Sequence, residues 1–369
     1  MSPAAAALGN LHPALRAAWH PVARADEVTE EPRRVVVLGE ALVVVRLAGE
    51  PVVLLDRCPH RNARFSDGAV VDGDLQCPYH GWRFDGAGRC TLIPALGPGA
   101  AAATLVQAAP PAVRVDSGLV MVALAPPRQD PLPVPEWGAP GITPAWLPAL
   151  TVRVGAGQFI DNFLDFAHFP FVHDGTFGAG EDERIADYEV ERVDGGLRVR
   201  YEHVINNHED PRVATGEHPL LQPRVMEYTY RPPFAARLRL EYPIAGVENT
   251  IVAWAVPETA DTTVLHQVLL RNDLDTAAAA QDAVDYELRV LAEDLRILEH
   301  LPDRDLPLHL PAQAHTRADR ITVELRRLLR DLVESPSPDG QVPGRERPVL
   351  ADPPAVAAVA GDPIPVEQV

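Results

Sequence analysis

Two short loops constrain this 369-residue chain more than any other feature: Cys58-Pro-His60-Arg61 and Cys77-Pro-Tyr-His80-Gly-Trp82, with sixteen residues between His60 and Cys77. Each loop offers one thiolate and one imidazole, in the order Cys, His, Cys, His. A C2H2 zinc finger runs Cys, Cys, His, His with a helix between the histidine and cysteine pairs, so the order argues against one. It fits a Rieske [2Fe-2S] cluster, in which two cysteines hold one iron and two histidines the other. Structural zinc is the alternative. Cys90, the third cysteine, has no neighbouring histidine and reads as a small buried residue. Three clustered cysteines are too few for a disulfide framework.

The sequence around the loops is strand-rich. Runs at 34–38, 41–46 and 51–55 are separated by Gly39-Glu40 and Gly49-Glu50, and runs at 112–115 and 119–124 flank Asp116-Ser-Gly118. Short β-branched runs with turn residues at this spacing predict an antiparallel all-β unit over 15–126. Residues 1–14, rich in alanine and proline, are expected to form a flexible leader, and the proline-rich stretch 127–148 an extended linker.

From 149 to 334 the pattern changes. Runs at 196–201, 225–230, 236–242, 250–256 and 263–270 alternate apolar with polar residues, which implies one large antiparallel sheet. A long helix is expected from about Thr276 to Leu301, and an amphipathic one from Asp319 to Glu334. The expected fold class is therefore α+β: an N-terminal all-β unit, then a C-terminal helix-grip unit in which a long helix covers an antiparallel sheet. Residues 335–369 turn to Pro, Gly, Asp and Ala and are expected to be disordered.

The stretch Asn162-Phe-Leu-Asp165-Phe-Ala-His168-Phe-Pro170-Phe-Val-His173 opens the second unit. Read as one helix, it stacks Asp165 and His168 on one face and lets His168 and His173 diverge. Pro170 is expected to disfavour the α conformation at Phe169 and bend the chain, swinging His173 toward His168. Two imidazoles converging with a carboxylate form the 2-His-1-carboxylate face that holds Fe(II) and leaves positions open. A pair of satisfied core histidines is the alternative.

Asp294 is the candidate carboxylate. It shares a helix face with Leu291 and Leu298, where a charge is costly unless paired or metal-bound. A buried salt-bridged aspartate fits the same pattern. Glu293 is assigned to the solvent side, paired with Arg289 or Arg296. Asn249, Ile251, Ala253 and Ala255 share one strand face and suggest an apolar pocket wall with one polar group, to which His203, Asn206 or His266 can add others.

Composition excludes several chemistries. A net charge of −19 argues against nucleic acid or an anionic membrane as partner. The sequence contains no lysine, all 33 basic residues being arginine, which rules out Schiff-base, pyridoxal phosphate and P-loop chemistry. No G-x-G-x-x-G follows a strand and opens a helix, so nothing indicates that this chain itself binds NAD or flavin. The N-terminus has no basic segment followed by an apolar core, and no apolar run reaches membrane length, so a cytoplasmic location is expected.

Together, Ala18-Trp19-His-Pro, the two cluster loops, Asn162-x2-Asp165-x2-His168-x4-His173, Glu293-Asp294-x3-Leu298-Glu299, Asp319-Arg-Ile and Arg326-Arg resemble the Rieske non-haem iron oxygenases over residues 17–330. The resemblance is to the vanillate O-demethylase and dicamba monooxygenase group. It implies that Cys58, His60, Cys77 and His80 hold a [2Fe-2S] cluster, and that His168, His173 and Asp294 hold a mononuclear Fe(II). It also implies a head-to-tail C3 homotrimer, in which Asp165 bridges the two centres by accepting hydrogen bonds from His168 and from His80 of the partner subunit. Asn162 is placed to orient Asp165 or to lie near the iron, a helix-surface amide being the alternative.

The function implied is that of a terminal monooxygenase component. Electrons from NAD(P)H arrive through a separate reductase or ferredoxin, and O2 is used to hydroxylate or O- or N-demethylate a mostly apolar small molecule. The same ligands serve oxidative cyclisation or desaturation. A Rieske electron carrier without oxygenase activity is the reading from a different class.

Overall fold

The computed structural model describes residues 7–335 apart from 98, 100, 102–108, 111, 179–181 and 209. The first part of the chain builds three small antiparallel sheets. Arg33–Val37, Glu40–Leu47 and Glu50–Leu55 form one, and Ala69–Val71, Asp74–Gln76, Arg83–Phe84 and Cys90–Leu92 a second. His20–Arg24, Leu119–Ala123 and Ala112–Asp116 form the third. Val43, Val45, Leu54, Phe65, Leu75 and Phe84 bury with all three cysteines in a small core.

The second part is one eight-stranded antiparallel sheet, running Thr143–Trp146, Thr263–Arg271, Val247–Pro257, Ala235–Tyr242, Leu221–Arg231, Gly196–Asn206 and Val190–Val193, with Leu150–Val152 also paired to Thr263–Arg271. The helices are α1 (Ala156–Leu164), α2 (Phe169–Val172), α3 (Pro211–Ala214), α4 (Ala277–Leu298) and α5 (Arg320–Glu334). Thr276 starts α4 by accepting a hydrogen bond from the Ala279 amide at 3.1 Å, and the alanines of its first turn favour helix.

Strand alternation sorts the sheet into two faces. In register, Met226, Leu240, Asn249 and Arg271 form one row and Tyr228, Leu238, Ile251 and Leu269 the next. These eight side chains line a pocket closed by residues of α1 and α4. The opposite face carries Val252, Trp254, Val268 and Leu270, which bury against Leu119, Met121, Leu132 and Val134.

Two expected boundaries move. Residues 127–148 are not a free linker: Leu132 and Val134 are buried under the sheet and Thr143–Trp146 pairs into it. The leader expected over 1–14 is likewise docked from residue 7 onward. Ala7–Leu8 pairs with Leu306–Pro307, and Leu8 is buried. Asn10, also buried, donates to the carbonyls of Thr259 and Thr262 and accepts from the Ala156 amide at 2.9 Å, satisfying the first turn of α1 from a distant part of the chain. Residues 1–6, and the expected disordered tail beyond Ser335, lie outside the described residues. Among the described residues no helix is long and apolar enough to cross a membrane.

Candidate metal centres

The two Cys/His loops share one backbone design. The Cys58 amide donates to the Ala63 carbonyl at 2.8 Å and the Asn62 amide back to the Cys58 carbonyl at 2.9 Å. The Cys77 amide likewise donates to the Trp82 carbonyl at 2.8 Å and the Gly81 amide to the Cys77 carbonyl at 3.2 Å. Closing each loop requires a left-handed residue at the fourth position after the cysteine, met by Asn62 (φ 58°) and Gly81 (φ 69°).

The result is polar at one end only. Cys58 and Cys77 are buried, while His80 is exposed and His60 partly so. The imidazoles meet edge to face with centroids 4.5 Å apart, and His60 stacks on Trp82 at 4.4 Å. Burial and the neighbouring Cys77 thiol push the Cys58 thiol up to about 12, so it ionises in neutral solution only when a cation binds it. The Nδ1 atom of His60 is buried without a hydrogen-bond partner. An orphaned imidazole nitrogen beside two buried, unpaired cysteines fits a metal cluster better than a protein-only core.

The second site differs from the expected helix in a way that explains its geometry. The stretch from Asn162 to His173 is two helices, and the break lies at Asp165, not at Pro170. Asp165 is extended (φ −79°, ψ 143°) and ends α1. Its carboxylate then accepts from the backbone amides of Ala167 and His168 at 3.2 and 3.1 Å, and from His168 Nδ1 at 2.8 Å. An aspartate competes with helix by such local bonds. Pro170 sits in the first turn of α2, where its missing amide is no loss, so it starts a helix instead of breaking one. The short helix carries His173 back beside His168.

Glu293 is a second correction. It does not sit in a surface ion pair with Arg289 or Arg296. Its carboxylate accepts from His173 Nδ1 at 2.9 Å and from Thr176 Oγ1 at 2.7 Å, while the Arg289 guanidinium lies over the Tyr286 ring.

Because carboxylates only accept, both neutral imidazoles carry their proton on Nδ1 and turn an Nε2 lone pair inward. The two Nε2 atoms are 3.2 Å apart, and Asp294 Oδ1 lies 3.4 Å from that of His168 and 3.3 Å from that of His173. Three acceptor atoms facing one another at this distance repel unless a cation, a proton or a metal ion, joins them. Metal bonds of about 2.1 Å at right angles place donor atoms about 3.0 Å apart, close to what is found. Among the described residues these three form a group able to hold one metal ion. Charge tells the same story. Burial opposes charging His168, yet its bonds to Asp165 and Asp294 outweigh burial and raise it to about 9, so that without a metal a proton on its Nε2 takes the place of the cation at neutral pH. Asp294, despite burial, is lowered to about 2 by the two histidines.

The triad opens onto the pocket formed by the two side-chain rows. Asn162, Phe163, Phe169 and Phe177 line it along with His168, His173 and Asp294. Asn162 is therefore a pocket residue, and the hydrogen bonds to the Asp165 carboxylate come from elsewhere. Of the expected pocket groups, Asn249 lines the cavity with a buried Oδ1 that has no partner, and Ile251 lies beside it. His203 stands behind the wall, accepting from the pocket residue Arg224 at 2.8 Å. His266 is on the opposite face of the sheet, in register with Trp254.

Comparison with known proteins bears on both sites. Residues 18–111 match the Rieske [2Fe-2S] domain family, and residues 152–335 match the vanillate O-demethylase oxygenase C-terminal domain family. The chain is 29% identical over 342 residues to methylxanthine N1-demethylase NdmA of Pseudomonas putida, covering 87% of this chain and 90% of that protein. The oxygenase component of dicamba O-demethylase from Stenotrophomonas maltophilia is 37% identical over 167 residues, which is 43% of this chain and 48% of that one. Among solved structures, Pseudomonas putida CBB5 NdmA with caffeine superposes with a TM-score of 0.74 at 27% identity, covering 87% of this chain and 92% of the other.

Proposed function

The chain belongs to the Rieske non-haem iron oxygenases, and we propose that Cys58, His60, Cys77 and His80 hold its [2Fe-2S] cluster while His168, His173 and Asp294 hold its mononuclear iron. It is an oxidoreductase that works with O2, a small-molecule substrate and electrons from a separate reductase. The reaction we propose is removal of an N- or O-methyl group, or hydroxylation, on a mostly apolar ring compound. Relatives named as N- and O-demethylases support this class. So does a pocket lined by Phe159, Phe163, Phe177, Leu238, Ile251 and Leu269.

One observation carries the reading: three inward-facing lone-pair atoms within 3.2 to 3.4 Å of one another at the edge of that pocket. When bound, the iron supplies O2 activation, fed by electrons from the cluster. The protein's own share is to fix the ligands, exclude water with the aromatic walls and hold the substrate over the open positions. Anaerobically reconstituted protein is expected to carry two cluster irons and one further iron per chain. It is also expected to release formaldehyde from a methylated ring substrate when reductase and NADH are present. Two irons per chain, with no substrate-dependent O2 uptake, would overturn the proposal.

We assign the cluster unit to 15–126 and the catalytic unit to 149–334, with a head-to-tail homotrimer as the assembly. His80 is exposed in the first unit, and the Asp165 carboxylate, 23% exposed, keeps outward lone pairs in the second. In the trimer His80 of the partner subunit reaches Asp165, which passes the electron toward His168. Asp165→Asn should lower turnover about 10- to 100-fold, with iron content and the cluster's visible spectrum unchanged. Stopped-flow reduction with single-turnover product analysis reads this directly. Wild-type turnover in that variant, or a fully active monomer, sinks the bridging role.

A further inference from the structure

The two ligand histidines are held alike, each by a carboxylate on Nδ1, but only the Asp165 side of that arrangement belongs to the proposed electron path. We propose that Glu293 is the positioning residue for His173, fixing its tautomer and ring so that Nε2 points at the metal, and that the turn after His173 is shaped to hold Glu293 in place. The inference rests on the reading of His168, His173 and Asp294 as iron ligands.

Four observations meet at this carboxylate and the imidazole it holds. Glu293 Oε2 accepts from His173 Nδ1 at 2.9 Å, which leaves the proton on that nitrogen and the lone pair on the other. The same oxygen accepts from Thr176 Oγ1 at 2.7 Å, so the acceptor is anchored from the turn just after the histidine. Phe177 stacks on the His173 ring at a centroid distance of 4.7 Å and blocks its rotation on that side. A Cβ built on Gly175 would come within 2.6 Å of Glu293 Oε1, so the backbone passes where a side chain would displace the carboxylate. Residues 173–177 thus hold one glutamate with an imidazole, a hydroxyl and an absent side chain, while Phe177 holds the imidazole.

The placement on α4 adds a mechanical consequence. Glu293 and Asp294 are consecutive, so a single helix delivers both the carboxylate ligand and the group that aims one of the imidazoles. A surface ion pair would need neither Thr176 nor Gly175. At 19% exposure the Glu293 side chain is too enclosed to be explained by solvation alone, and His173 is 2% exposed.

The test compares the apo-to-iron titration of wild type, Glu293→Ala, Glu293→Gln and Gly175→Ala, each carrying its Rieske cluster. Ferrous iron is the titrant, and the nitric oxide adduct's paramagnetic resonance spectrum is the readout. Glu293→Ala should weaken iron binding 10- to 100-fold and change the rhombicity of the adduct, with the cluster absorbance unaltered. Glu293→Gln keeps an acceptor oxygen and should fall between. Gly175→Ala clashes only with the far end of a flexible side chain, so it folds and should shift binding the same way by pushing the carboxylate aside. Wild-type affinity and an unchanged adduct in Glu293→Gln and Gly175→Ala, whatever Glu293→Ala does, would overturn the proposal. Failure of wild type to bind a third iron would instead overturn the ligand assignment beneath it.

Discussion

Asp294→Ala is expected to leave the Rieske spectrum intact while mononuclear iron falls to background and turnover drops by at least about a thousandfold, the loss of several kcal/mol of metal-dependent stabilisation. The reason is charge as much as geometry. As metal ligands the histidine nitrogens, 3.2 Å apart, bring no charge, and among the described residues Asp294 Oδ1, 3.3 and 3.4 Å from them, is the anion directed between them. The carboxylates of Asp165 and Glu293 are already committed to the outer nitrogens of the two rings and cannot swing inward without releasing them. Asp294→Asn separates the two contributions. It keeps an oxygen at the ligand position and loses the charge, so iron should bind weakly and be removed by mild chelation. Elemental analysis beside visible and resonance spectra reads both centres in one sample. Full iron content in Asp294→Ala would transfer the ligand role to another carboxylate.

The proposed ligand set can be read from the sequence because the features that suggest it are local. Cys58, His60, Cys77 and His80 are given by order and spacing, and Asp294 by its apolar neighbours Leu291 and Leu298, both buried as that stripe requires. What escaped was decided by contacts distant in the chain or by the chemistry of one side chain in two settings. Glu293 has arginines within one helical turn, and that visible pairing concealed a partner 120 residues away in His173. Asp165 meets His168 as their spacing suggested, but an aspartate also ends helices and caps the next turn, so the meeting comes from a turn and not from a continuous helix face. Pro170 has two meanings as well, a breaker inside a helix and a favoured residue in a first turn, and only the position of the break at Asp165 decides between them. The Ala/Pro composition before residue 15 concealed Leu8 and Asn10, which no periodicity marks. Leu132 and Val134 were hidden among prolines in the same way.

The largest effect on stability is expected at Arg326, which joins α5 to α1 just ahead of the Asp165 turn. Its guanidinium bonds both oxygens of Asp161, at 2.5 and 2.8 Å, and reaches Gln313 Oε1 at 3.0 Å and the Thr322 carbonyl at 3.1 Å. The arginine side chain is 5% exposed and the aspartate 19%. Arg326→Leu therefore leaves a largely enclosed carboxylate without its partner, a loss of about 3 to 5 kcal/mol, and should lower the melting temperature by roughly 6 to 15 °C. Arg326→Lys restores a charge but not the planar fork, so it should recover only part of the difference. Asp161→Leu combined with Arg326→Leu removes both charges and should melt well above the single Arg326→Leu variant, since replacing a buried pair by apolar groups is often neutral. The position of the pair predicts an order of events too. Asp161 is four residues before Asp165, so loosening α1 should release the mononuclear iron on heating before the cluster, which sits on separate sheets, bleaches. A double-mutant cycle by thermal melting, with iron release and cluster absorbance tracked in parallel, tests both statements. Additive effects of the two substitutions would show that the ion pair does not couple the helices, and simultaneous loss of both metals would show that α1 does not unfold ahead of the rest.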